Sequence, residues 1–362
     1  MKICFIVGAF PNMKCGVGDY TYMLGTELSS LNNEVSIITS VLAKNDNKSI
    51  KVFNIIERWD FSSKDLIVNT LRNIKPDVVH IQYPSDNYGK SLFINFLPRI
   101  IKKEIGCKVV ETVHEYISYT AKGKLRNLVN YKYADNVIVV EKRYDKMIKS
   151  FLKPISKNLN INYIPISSNI PKSKISEVEK NELKKKLDLQ NFRLISYFGF
   201  VNELKGMEFL IEAFNDICKK DDNIRLLILS ELSKENEYQK KIIDMIEHYD
   251  LNDKILITGF INSSDEVSKY LKITDLSILP FRDGVSERNG SFLAAYNQGV
   301  PIITTSNNIE ELDGVYYVEP KNKDAIVKKY FEIKDDLKFF DRDIVSWKDI
   351  VNSHINIYKQ GE

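Results

Sequence analysis

Three short stretches of this chain could meet a ligand: two are helix starts led by glycine beside a cation, fit to hold an anion, and the third is a strand end that carries a histidine. The richest is 283–305, which reads as loop, short helix, helix stop and buried strand. Gly290 and Ser291 begin the helix, Gly299 suits the left-handed residue that closes it, and Pro301 cannot continue it. The run Ile302, Ile303, Thr304, Thr305 is apolar and β-branched. A Gly-Ser start leaves the first N–H groups and the positive end of the helix dipole facing outward, a seat for phosphate. Glu287, Arg288 and Asn289 precede it, so a carboxylate and a guanidinium stand beside that seat.

The second stretch is 199–206, ahead of a helix over 207–214. Lys205 sits one residue before the helix-opening Gly206 and can aim its ammonium at an anion held there. A solvated surface lysine is the plainer reading. The third is the strand end 112–116, which carries His114, one of four histidines. It reads either as a packed, hydrogen-bonded residue or as a group that bonds a substrate hydroxyl or a developing charge. His80, within DVVHIQY, reads as packed, and His248 and His354 as surface residues of amphipathic helices.

A further glycine pair, Gly16 and Gly18, follows the first strand, with a helix starting near Asp19. A dinucleotide fingerprint needs a third glycine where Thr21 stands and a shorter loop before Gly16, so the NAD signal is weak. A tight turn without a ligand and a phosphate- or sugar-facing loop both fit.

Positioning these groups requires strands and helices in alternation. Apolar runs at 2–8, 34–39, 77–82, 107–112 and 136–140 predict strands, with helices over 18–31, 64–74 and 90–104 between them. A polar, Pro-punctuated stretch at 165–175 breaks the pattern, which restarts with strands at 193–199, 224–229, 254–258, 275–279 and 301–305. The expected architecture is α/β, two doubly wound Rossmann-like domains. The first spans 1–168 with 346–362, whose amphipathic helix packs back on it, and the second spans 175–345.

Bulk properties exclude several classes. An apolar fraction of 43% and a charged fraction of 28% are those of a globular chain, and a net charge of +3 does not argue for nucleic acid. No run reaches the roughly 18–20 apolar residues of a membrane span. The four cysteines show no metal-like spacing and read as reduced, cytoplasmic thiols. The segment 92–103 mixes bulky apolar and basic residues, so it admits contact with an anionic membrane surface. No zincin, nucleophile-elbow or P-loop motif is present.

With these residues in view, the chain resembles glycosyltransferase family 4, the retaining nucleotide-sugar transferases of GT-B fold, over essentially its whole length. YFGFVNELKGMEFLIEAF is similar to the family's G-x-x-x-x-x-K-G-x-x-x-L-x-x-A stretch, and DLSILPF with Gly-Val-Pro-Ile-Ile to its donor segment. CGVGDYTYMLGTEL and TVHEY are similar to its glycine loop and its histidine strand end. The resemblance implies two Rossmann-like domains facing a central cleft, with the last helix crossing back to the first. It implies donor binding by Gly16, Gly18, Lys205, Arg288, Asn289, Gly290 and Ser291, and catalytic roles for His114, Lys205 and Glu287. A nucleoside diphosphate sugar would be the substrate, with no cofactor or metal. The acceptor would be a glycan or a lipid-linked acceptor, in cytoplasmic synthesis of a surface polysaccharide.

Two positions depart from the family. Its paired glutamates, eight apart, fall on Ser286 and Ala294 here, and Phe200 replaces an arginine. The V-S-x-R-x-G-S turn is similar to that of a subset of the family, with Arg288 read as supplying the lost charge. The rival readings are a GT-B nucleotide-sugar epimerase, a non-catalytic partner subunit and, weakest, a nicotinamide dehydrogenase.

Overall fold

Short isoleucine- and valine-rich runs become parallel strands in both halves of the chain. The computed structural model describes residues 1–11, 13, 15–44, 47–152, 159–306 and 312–360. It divides into one unit of Met1–Ser167 with Val345–Glu362 and a second of Ser168–Ile344.

The first unit runs β1 (Lys2–Ile6), α1 (Gly16–Ser30), β2 (Glu34–Ser40), β3 (Ile50–Ile56), α2 (Lys64–Ile74), β4 (Val78–Tyr83), α3 (Phe93–Glu104), β5 (Lys108–Val113), α4 (Ala121–Arg126), α5 (Leu128–Tyr133), β6 (Asn136–Val139), α6 (Lys142–Leu152) and β7 (Ile161–Tyr163). Its strands form a parallel sheet in the order β3-β2-β1-β4-β5-β6-β7. Alternate residues of β1 serve opposite faces, as strand geometry demands. Ile3 and Phe5 pack with Leu24 and Ile37, whereas Cys4 and Ile6 pack with Val79, Ile81 and Leu97.

The second unit runs α7 (Glu177–Lys186), β8 (Arg193–Phe198), α8 (Met207–Cys218), β9 (Ile224–Leu229), α9 (Glu237–His248), β10 (Ile255–Ile257), α10 (Ser264–Lys272), β11 (Leu276–Leu279), α11 (Gly290–Asn297), β12 (Ile302–Thr305), β13 (Val315–Val318) and α12 (Lys323–Ile333). The sheet order is β10-β9-β8-β11-β12-β13, again parallel. The order reverses between β8 and β11, the place where open α/β sheets bind ligands.

The last helix, α13 (Trp347–Lys359), belongs to the first unit and buries Ile350, Val351, His354, Ile357 and Tyr358 on one face. His354 is therefore core, contrary to the surface position expected for it. Its Nδ1 donates to the Ile350 carbonyl (2.8 Å), and its Nε2 accepts from the Tyr20 hydroxyl (3.3 Å). Both ring nitrogens are paired in the neutral form, so burial is tolerated. His248 is exposed, as expected.

Three strands were not legible in the sequence. β3, at the sheet edge, buries only its end residues Ile50 and Ile56, and β7 and β13 are only three and four residues long. The helix over 90–104 forms as α3, but Phe93, Ile94, Leu97 and Ile101 face the core. Of the apolar residues that suggested membrane contact, Leu92 is the one left well exposed, and Lys102 is held by Asp135 (2.9 Å). Among the described residues, no helix is long and apolar enough to cross a membrane.

Candidate functional site

In the second unit, two turns at the carboxyl ends of β8 and β11 are stapled together. Gly199 adopts φ +125°, and a Cβ there would stand 3.1 Å from the Ser291 Cβ, so glycine lets this turn touch the first turn of α11. Gly206 adopts φ +66°, and its Cβ would lie 2.1 Å from the Pro280 carbonyl oxygen. Only glycine fits that approach. The Arg282 amide donates to the Leu204 carbonyl (3.0 Å), and its guanidinium Nε donates to Glu208 on α8 (3.0 Å). The Tyr238 hydroxyl donates to the same carboxylate. These bonds hold the turn bearing Lys205 against the loop leading to α11.

Lys205 is half-buried, with Nζ 4.9 Å from the centre of the Phe281 ring. Burial pushes its ammonium down to about 8, and the charge of Arg288 adds to the shift. Two cations gathered in a partly desolvated place repel each other, and a bound anion would relieve both.

Beyond them, α11 offers an uncapped N-terminus. No side chain caps it, and the leading N–H groups of a helix have no partner within it. Gly290 has open space where a Cβ would be. The Ser291 hydroxyl oxygen is buried and makes no hydrogen bond among the described residues. A buried, unsatisfied hydroxyl in the first turn of an uncapped helix can donate to an acceptor from outside the chain.

Asn289, expected among the donor contacts, also braces its own loop. Its Oδ1 accepts from the Ser286 amide (2.6 Å) and the Ser286 hydroxyl (3.0 Å), and its own amide donates to the Ser286 carbonyl (3.0 Å). It shapes the loop that presents Glu287 and Arg288, both half-exposed. Ala294 is fully buried among Leu227, Leu229, Val267 and Leu271. That apolar cluster explains why no carboxylate stands at this position.

In the first unit, Gly16 opens α1 with open space around it, while a Cβ on Gly18 would lie 2.7 Å from the Ala9 carbonyl oxygen. Gly18 therefore serves close packing of α1 against the end of β1, and Gly16 leaves the helix start accessible. Asn12 and Lys14 of the same turn lie outside the described residues. Asp19, which sequence reading placed only as a helix start, has its carboxyl pushed up to about 6 by burial. An acid in the first turn of a glycine-opened helix was the available signal.

His114 is buried, its amide donating to the Tyr83 carbonyl (2.8 Å) and its Nε2 donating to Gln82 Oε1 (2.7 Å). The Tyr20 ring of α1 meets it edge-on at 5.1 Å, so His114 is locked to the glycine-opened helix. His80 is packed as expected, Nδ1 lying 2.7 Å from the Tyr358 hydroxyl and Nε2 2.7 Å from that of Thr112. Among the described residues, no group of three His, Cys, Asp or Glu side chains is placed to hold a metal ion.

Comparison with known proteins bears on the second unit most directly. Residues 179–338 match the family model of glycosyl transferases group 1. That span holds both stapled turns and α11. An uncharacterized glycosyltransferase of Methanocaldococcus jannaschii is 26% identical over 203 residues, 53% of this chain and 48% of that protein. The alpha-D-kanosaminyltransferase of Streptomyces kanamyceticus is 20% identical over 245 residues, 64% of this chain and 61% of that protein. The chain thus matches about half to three-fifths of the length of these relatives. The structure of Anabaena HepE in complex with UDP-glucose superposes with a TM-score of 0.69 at 14% identity, covering 99% of this chain and 95% of that one. The fold is GT-B, two Rossmann-like parallel-sheet domains.

Proposed function

We propose that the protein is a glycosyltransferase that moves a sugar from a nucleoside diphosphate donor to a hydroxyl acceptor. The observation that carries this reading is the buried, unpartnered Ser291 hydroxyl in the first turn of uncapped α11, beside Lys205 and Arg288. A diphosphate needs N–H donors, a hydroxyl and cations in one place. The family match over 179–338 and the UDP-glucose bound to HepE support the same donor class.

The chemistry assigned to the chain's own groups is electrostatic. The acceptor oxygen bonds to the anomeric carbon as the bond from that carbon to the diphosphate oxygen breaks, and the acceptor proton passes to the leaving phosphate. Lys205, Arg288 and the α11 dipole stabilise the charge that grows on that phosphate. The Ser286 and Ala294 positions supply no pair of carboxylates for a double displacement, so we assign same-face transfer with retention. Glu287 and His114 are assigned to the transferred sugar, and Gly16 with the start of α1 to the acceptor side. On the resemblance, a glycan or lipid-linked acceptor in cytoplasmic synthesis of a surface polysaccharide is the setting, without a metal.

A thermal-shift panel of nucleotide sugars, followed by NMR of the anomeric proton in the product, tests the reading. A donor that raises the melting temperature and yields product of the donor's own anomeric configuration is expected. Absence of any nucleotide-sugar shift rules the reading out, and inverted product rules out retention.

A further inference from the structure

A primary amide stands fully buried in the first sheet. Gln82 lies near the end of β4, between Ile81 and Tyr83. Burying an amide costs free energy unless its atoms find partners. The Gln82 Oε1 accepts from His114 Nε2 (2.7 Å), while the Gln82 Nε2 makes no hydrogen bond among the described residues. An apolar side chain of the same size would avoid that cost, so packing alone does not call for glutamine here.

The bond decides the state of the His114 ring. An amide oxygen can only accept, so Nε2 carries the proton, and an uncharged ring then holds its lone pair on Nδ1. Strand pairing builds this contact. Gln82 stands opposite Thr112 in the β4–β5 ladder, and His114 is two residues beyond Thr112 on the same face. The titratable groups around this layer are Tyr20 from α1, His80 from β4, and His354 and Tyr358 from α13. Burial raises both tyrosines and lowers both histidines, so none of the four carries charge at neutral pH. Glu115, next in the chain, accepts from the Ser118 amide (3.1 Å) and the Tyr144 hydroxyl (3.4 Å).

We propose that Gln82 is the positioning residue of His114, its amide oxygen fixing the ring in the Nε2-protonated, uncharged form that meets the transferred sugar. The inference rests on the glycosyltransferase reading and gives His114 a definite state within it. As the bond from the anomeric carbon to the phosphate breaks, the sugar gains positive charge. An uncharged ring can bond a sugar hydroxyl without opposing that charge, whereas an imidazolium would oppose it. A carboxylate in place of the amide would favour the imidazolium. Glutamine supplies the hydrogen bond without that charge.

Long-range proton–nitrogen spectra of the histidine rings test this, joined to turnover of the donor that the thermal-shift panel identifies. The proteins are wild type, Gln82→Leu and Gln82→Glu, with His114→Ala to assign the ring signals. Wild type is expected to show His114 protonated on Nε2 and uncharged at pH 7. Gln82→Leu is expected to bind UDP as wild type does and to lose roughly tenfold to a hundredfold in kcat, because the ring is no longer held. Gln82→Glu should show a doubly protonated ring at pH 7, with kcat low there and rising as higher pH discharges the ring. A glutamine that only fills space would give neither change. If Gln82→Leu does not fold, Gln82→Glu, which keeps the shape and the acceptor, decides. A wild-type ring that is charged or protonated on Nδ1 overturns the proposal. Wild-type kcat in Gln82→Leu, or a wild-type pH profile in Gln82→Glu, also overturns it and leaves the transferase reading standing. Wild-type protein that turns over no nucleotide sugar overturns both.

Discussion

A Cβ at Gly199 would stand 3.1 Å from the Cβ of Ser291, so the turn after β8 and the first turn of α11 touch through a missing side chain. Gly206 makes the second such contact, on the Pro280 carbonyl. The φ values of +125° and +66° disfavour any side chain even before the contacts are counted. Gly206→Ala should lose about 2–4 kcal/mol of stability, from the left-handed strain and the overpacking together. Denaturant unfolding reads this directly. A variant as stable as wild type would show that the turns are not held as described.

Ser291→Ala should separate stability from binding. Its hydroxyl is buried without a partner, so its removal should leave the melting temperature unchanged or slightly raised. Affinity for a nucleoside diphosphate should fall by about 0.5–1.5 kcal/mol, the net value of one hydrogen bond. A lower melting temperature with unchanged affinity would mark the hydroxyl as structural.

Lys205 gives the site a pH signature. Its ammonium titrates at about 8, and only the charged form attracts phosphate. Donor affinity should therefore hold below pH 8 and fall as pH rises through it. Arg288→Ala removes a like charge, so the fall should move to higher pH even as overall affinity drops. Stability runs the other way. A lysine whose folded value lies below its unfolded value of 10.5 weakens the ligand-free fold below pH 8, and that penalty lifts between pH 8 and 10.5. Titrations of a nucleoside diphosphate at pH 7, 8 and 9 check the binding half. A flat profile would count against the role of Lys205.

The buried histidines of the first unit set an acid limit. Burial pushes His354 down to about 4, and it pushes His80 well below its ordinary value, with the nearby His354 adding to the shift. The unfolded chain binds protons near pH 6.5 that the folded unit resists, so stability should fall as pH drops from 6.5 toward 4. Tyr358→Phe, which leaves His80 Nδ1 without its partner, should remove about 1–3 kcal/mol at neutral pH. Melting curves from pH 7 to 4 would expose an insensitive unit.

How far the sequence could be read follows from what its signals measure. Continuous apolar runs such as KICFI and IRLLIL marked strands buried on both faces, and glycines with Pro301 marked the turns around α11. β3 stayed hidden because only Ile50 and Ile56 at its ends are buried, with Lys51 and Asn54 exposed between them, and β7 and β13 were too short to show a period. His354 was misread because amphipathic spacing shows that a helix has a buried face, while its Tyr20 partner lies 334 residues away in the chain. The bonds between Asn289 and Ser286 were not legible either, because they exist only once the loop closes.

The central claim is that Lys205 and the start of α11 hold the diphosphate of a sugar donor. The most direct measurement is 31P NMR of nucleotide-sugar turnover by wild type and Lys205→Ala, side by side, with a panel of glycan and lipid-linked acceptors. Acceptor-dependent release of nucleoside diphosphate by wild type, reduced by roughly 10²–10³ in the variant, is the expected result. Equal release by the two proteins, or none by wild type with any donor, would contradict it.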